Sequence, residues 1–201
     1  MLIRRFYLLS LFLGLVNTAN ATTDTFSGYL NDAGNSALVA SDLTTALFDT
    51  PADMVNNVAI YDFTVLTAGT VTFESQGFAL GGIDPYFTLF EGTGNSAVFN
   101  NQSNYTQAFS TGGDFSLSYS LAAGHYELAL SSFANMSFAE NNPTTGTLQD
   151  GFTGLGSDSG TTNPYYYQLA VTGDVFTVPE PSSLLLFGFG LLGIATRKLR
   201  S

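Results

Sequence analysis

Short runs in which apolar and polar residues alternate with a period of two dominate the middle of the chain. The clearest sets Phe115, Leu117, Tyr119 and Leu121 against Ser116, Ser118 and Ser120. A strand turns successive side chains to opposite sides, so this pattern predicts a strand with one buried and one wet face. The same phase recurs at Ala59, Tyr61, Phe63 and Val65, at Val71 and Phe73, at Tyr126, Leu128 and Leu130, and at Tyr165, Tyr167, Leu169 and Val171. Turn residues separate the runs at Ala68-Gly69, Gly81-Gly82, Gly92-Thr93-Gly94, Gly112-Gly113 and Ala123-Gly124. With no convincing amphipathic helix among them, inward faces that share one core predict an all-β fold, an antiparallel β-sandwich or jelly roll. The stretches beginning at Leu66 and Leu121 echo one another as two strand-turn-strand units, not as a repeat architecture.

Two apolar stretches lack this alternation, and both lie at the ends. Residues 6–16 are preceded by Arg4 and Arg5 and followed by Ala19-Asn20-Ala21. A basic start, an apolar run and an A-x-A site predict a secretory signal peptide over residues 1–21, cut after Ala21 and handled by the secretion translocon. The competing reading is a buried N-terminal helix, for which so short a run is poor material. At the other end, residues 182–196 carry no charge, follow Pro179-Glu180-Pro181 and precede Arg197, Lys198 and Arg200. As a helix this segment spans about 22 Å against a hydrocarbon core of about 30 Å, a marginal transmembrane helix that flanking residues and bilayer thinning can accommodate. Basic residues stay cytoplasmic, which sets the rest of the protein outside.

A Pro-Glu-Pro tripeptide, a short apolar span and a terminal basic cluster, in that order over residues 179–201, resemble the PEP-CTERM sorting signal. The resemblance implies recognition and cutting near Pro179-Glu180-Pro181 by a membrane-embedded exosortase-type protease. Delivery to the cell surface or an exopolysaccharide matrix follows from it. An accidental apolar C-terminal helix of a globular core is the competing reading. Between the two signals, residues 22–178 are long enough for one domain with its own core.

Charge sharpens this division. All five basic residues lie in the end segments, and of the 16 carboxylates only Glu180 lies outside residues 22–178, so the middle carries 15 acidic groups and one histidine. Spread over about 7,500 Å² of surface, such charges stand about 22 Å apart, well beyond a Debye length of about 8 Å, so the fold tolerates them. Partners are more restricted. A domain without Lys or Arg cannot make the phosphate contacts that dominate nucleic-acid affinity, and anionic lipid repels it. The chain has no cysteine, which removes disulfides and thiolate chemistry.

A second resemblance lies inside the domain. Residues 83–94, Ile-Asp-Pro-Tyr-Phe-Thr-Leu-Phe-Glu-Gly-Thr-Gly, are similar to a D-P-x-hydrophobic-x-L-F-x-G-x-G stretch of small β-sandwich domains related to the bacterial pre-peptidase C-terminal fold. Residues 121–130 resemble the L-x-A-G-x-Y-x-L-x-L stretch of the same domains, and Asp150-Gly151-Phe152 resembles a short element of PEP-CTERM proteins. Where such relatives often carry an acidic N-D-D-G turn, this chain has Asn100-Asn101-Gln102-Ser103-Asn104. That departure removes carboxylates on which a cation site would depend.

Chemistry has little to work with. Nucleophilic catalysis by Ser-His or Cys-His needs a histidine beside the nucleophile, and only His125 exists, on the polar phase of its strand in register with Glu127. One histidine and no cysteine are unsuited to zinc. Fifteen acids allow carboxylate pairs for glycoside hydrolysis, but no pair stands out. Calcium takes carboxylate and carbonyl oxygens from loops, and Asp84 with Glu91, or Asp49 with Asp53, are candidate contacts, although no calcium-loop consensus is present. Tyr166 is the ring of the Tyr165-Tyr166-Tyr167 run set to face outward, where an aromatic can stack on a sugar. The expectation is a non-enzymatic surface or exopolysaccharide-matrix protein without a cofactor. The alternative is a carbohydrate-binding or carbohydrate-cleaving envelope protein.

Overall fold

The computed structural model describes residues 21–32, 34–35, 54–104, 112–157 and 162–177. The signal residues Ala19, Pro179, Glu180, Pro181, Arg197, Lys198 and Arg200, the apolar span 182–196, and the acids Asp49 and Asp53 lie outside the described residues. Among the described residues no helix is long and apolar enough to cross a membrane.

Among the described residues, nine strands form two antiparallel sheets. They are β1 (Thr22–Tyr29), β2 (Ala59–Val65), β3 (Gly69–Ser75), β4 (Pro85–Glu91), β5 (Val98–Ser103), β6 (Ser116–Leu121), β7 (Gly124–Ser132), β8 (Tyr166–Gly173) and β9 (Val175–Thr177). The first sheet runs β1-β8-β3-β6 and the second β5-β4-β7-β2-β9. The all-β expectation holds, with both sheets antiparallel.

The inward phases read from the sequence meet between the sheets. Phe63 stacks on Tyr126 at 5.5 Å, Phe73 stacks on Phe87 at 5.3 Å, and Phe63 meets Phe73 edge-on at 6.0 Å. Phe73 belongs to the first sheet and the other three rings to the second, so this column joins the layers. Each such pair adds about 0.5–1.5 kcal/mol beyond simple burial. Leu117 and Tyr119 pack on the same core from edge strand β6 and are only partly buried.

Strand β7 departs from simple alternation. Its residues from Tyr126 to Ser132 are buried on both faces, Glu127 and Ser131 included. The Gly94 loop covers Glu127, and beyond it the cover is residues 133–157, which leave the end of β7, fold over the outer face of the second sheet and close on themselves through Ser157 N–H to Phe133 O. This strap plants Leu148 and Phe152 against Val58, Phe90, Ala97, Phe99 and Ala129 in a second apolar cluster. Asp150 accepts from Thr147 N at 2.9 Å, and Gly151 turns with φ 79°, so the Asp150-Gly151-Phe152 element drives the Phe152 ring inward. Strand β8 also starts one residue later than its periodicity suggests. Tyr165 precedes it with φ 68°, packs against the core and accepts from Leu30 N through its carbonyl.

Both ends of the domain emerge together. Thr22 Oγ1 donates to Val175 O at 3.0 Å, which ties the start of β1 to the start of β9. Short connections over residues 66–68 and 122–123 share this end, because Val65 pairs with Gly124, Gly69 with Leu121 and Thr22 with Gly173.

A protein of residues 22–178 alone is expected to give a soluble β-rich domain with a cooperative melt. Phe73→Ala should cost about 3–5 kcal/mol, Leu117→Ala less, and Ser118→Ala little. Equal losses for Phe73→Ala and Ser118→Ala in chemical denaturation would overturn the strand phase.

Candidate functional site

The two outer faces of the sandwich differ. The strap closes that of the second sheet, whereas the alternating strands of the first sheet present their polar phase outward. In adjacent strands residues at one level stand about 4.8 Å apart and form rows across the sheet. One row is Thr23, Thr172, Thr72 and Ser118, joined by the registers of β1 with β8, β8 with β3 and β3 with β6. The hydroxyls of Thr23 and Thr172 lie 2.9 Å apart, and those of Thr72 and Ser118 lie 2.8 Å apart. A hydroxyl has one proton and two lone pairs, so these pairs keep capacity for an outside partner.

Farther along β8 the same face carries Gln168 and Tyr166. Gln168 Nε2 donates to Gln76 Oε1 at 3.3 Å, and Tyr166 donates its hydroxyl to Gln168 Oε1 at 2.8 Å. The Tyr166 ring lies 5.4 Å from that of Tyr29, inclined by 58°, and Tyr29 is 39% exposed. Tyr166 therefore faces outward as its phase requires, half-buried against Tyr29. Gly82 sets this edge. A Cβ there would run into the Tyr166 carbonyl, which accepts from Ile83 N. Among the outward strand residues of this face, Glu74 is the one charge.

The acidic candidates fall elsewhere. Asp84 and Glu91 bracket β4, about 23 Å apart along an extended strand, so they do not share a site. Glu91 accepts from Asn100 Nδ2 at 3.0 Å. Asp84 instead lies beside Asp114, across the Gly112-Gly113 turn, whose φ values of 62° and 86° suit glycine. Gly113 N donates to Asp84 at 2.6 Å, while Asp114 accepts from Ser75 Oγ, Phe78 N and Ala79 N at 2.9, 3.1 and 2.8 Å. Topology, not spacing, creates this neighbourhood. Ala21, the last residue of the A-x-A site, lines a depression of about 190 Å³ with residues 67–71, Gly173 and Asp174.

His125 is exposed, with Nδ1 3.0 Å from Thr64 Oγ1. Two positions along the same face, Glu127 is 4% exposed. It stands opposite Asp62 and accepts from Gly94 N. Sequence reasoning missed Glu140 altogether, because its partners come from distant strands. Tyr86 and Ser103 donate to Glu140 Oε2 at 2.7 and 3.1 Å, and Thr88 donates to Oε1 at 2.9 Å. Three hydroxyls thus latch the strap to β4 and β5.

Burial is the main cause that raises the carboxyl pKa values of Asp84, Glu127 and Glu140. The bonds from neutral donors oppose the shift, while the Asp114 charge adds to it at Asp84 and Asp62 adds to it at Glu127 through both its charge and a hydrogen bond. A raised pKa means the folded state holds these protons more tightly than the unfolded chain. The associated stability is present at low pH and is lost as pH rises through the folded values. Mild acidification from neutral pH is therefore expected to raise the melting temperature. Glu140→Gln should flatten that dependence without unfolding the domain at neutral pH. A melting temperature that falls steadily from pH 7 toward pH 5 would contradict this reading.

Residues 177–201 match the family model described as the PEP-CTERM protein-sorting motif. No curated protein matches the chain. The motif marks an exosortase-sorted, exported protein that is anchored transiently in the membrane before sorting. Its match begins at Thr177, which pairs with Phe63 in β9, so the sorting segment follows directly on the last strand of the sandwich.

Proposed function

We propose that this chain is a non-enzymatic cell-surface or extracellular-matrix component, an acidic β-sandwich displayed after exosortase processing of its tail. The observation that carries the reading is the contrast between the two outer faces. One is sealed by the strap with its own apolar cluster, and the other, uncovered among the described residues, is nearly uncharged and lined with hydroxyl and amide groups. The sorting motif supplies the route outward. The two stretches similar to pre-peptidase C-terminal-type sandwiches lie along the central strands β4 and β7. His125 stands exposed on a sheet surface against the Thr64 hydroxyl, the setting of a solvated strand histidine. The tail holds the precursor in the membrane, and the cut near Pro179-Glu180-Pro181 releases the domain for display.

Intact-mass analysis of the surface-exposed form is expected to show loss of the residues beyond the Pro-Glu-Pro tripeptide, with the domain recovered outside the cell. Recovery of a surface form that retains Arg200 would overturn the processing step. Hydrolysis of glycan substrates by the purified protein would overturn the non-enzymatic assignment.

A further inference from the structure

We propose that the open face of the β1-β8-β3-β6 sheet binds an extended, uncharged polysaccharide that runs along β8. The inference rests on the surface-component reading and adds the class of partner. Tyr166, Gln168, Ala170 and Thr172 share the outward side of β8, a central strand of its sheet. From Tyr166 to Thr172 this track is about 20 Å long, enough for several sugar units.

Each part of the track suits a sugar polymer. At one end the tilted Tyr29 and Tyr166 rings offer an apolar surface to the C–H face of a sugar. In the middle, the small side chain of Ala170 leaves room between Gln168 and Thr172. At the other end, the row through Thr172 provides hydroxyls that both donate and accept, matching a ligand made of hydroxyls.

Charge selects against the other occupants. The domain has 15 carboxylates and no Lys or Arg, yet its outward strand residues on this face include only Glu74. An anionic polymer or lipid surface finds no cation there, and a second copy of the chain brings the same negative charge. Protein partners favour apolar, aromatic or Arg-rich centres, whereas the centre of this face is Gln168, Ala170 and Thr172, with Glu74 beside Ala170 on β3.

Affinity electrophoresis of the full chain tests this. The protein is kept soluble in a polyoxyethylene detergent, because an alkyl glycoside would compete for the track. Native gels contain hydroxyethyl cellulose, dextran or alginate. At least one neutral polymer should retard the protein, and alginate should not. Thr172→Asp and Tyr166→Ala should each weaken retardation about three- to tenfold. Thr23→Asp, at an exposed position of the same row, takes the place of Tyr166→Ala should that variant fail to fold and should weaken retardation likewise, with melts confirming folding.

Absence of retardation by all neutral polymers, retardation unchanged by the three variants, or retardation by alginate would each overturn the proposal. So would a dimer in light scattering that Thr172→Asp dissociates, since it would assign the face to a second copy. A failed glycan test combined with normal surface recovery of processed protein would leave the display reading standing and remove only this inference.

Discussion

Between Thr22 and Val178 the chain has no Lys or Arg, and this shapes the rest of the molecule. A carboxylate in such a domain has no strong cation to pair with, so it must stay in water or take neutral donors. Asp114 takes two backbone N–H groups and a serine hydroxyl, and Glu140 takes three hydroxyls. These bonds hold the acids at structural joints: Asp114 fixes the turn before β6, and Glu140 fixes the strap. At Glu127 and Glu140 burial prevails over the bonds from neutral donors, and these two acids keep their protons more tightly.

The joints in turn create the difference between the two outer faces. With Glu140 latched to Tyr86, Thr88 and Ser103, the strap can seat Leu148 and Phe152 on the second sheet. That closes one face and buries β7 on both sides. The first sheet has no such cover among the described residues, and its outward threonines and serines are suited both to strand geometry and to water. The starts of β1 and β9 meet at one end of the sandwich through Thr22 and Val175, while Tyr29 and Tyr166 stand at the opposite end of their strands.

The inward faces were legible because period-two alternation is a direct record of one-sided burial. Phe63, Phe73, Tyr126 and Val171 all occupy the core that their phase predicts. The outward setting of Tyr166 was legible for the same reason. The strap was not, since residues 133–157 have no period and their key apolar side chains are scattered singly. Burial of Glu127 was hidden likewise, because it depends on the Gly94 loop folding over a strand whose own alternation marks that position as wet. The pairing of Asp84 with Glu91 failed because they stand seven positions apart along an extended strand, while Asp84 and Asp114 meet through topology. The hydroxyl row needs the register of four strands, which no single segment encodes.

Burial and neutral donors, in place of cations, govern Asp84, Glu127 and Glu140. Carbon-detected NMR titration of the side-chain carboxyls tests this most directly. The account predicts that Asp84, Glu127 and Glu140 titrate above the ordinary carboxylate range, and that Tyr86→Phe, which removes a donor, moves Glu140 further upward. Titration of all three at or below the ordinary range would contradict it.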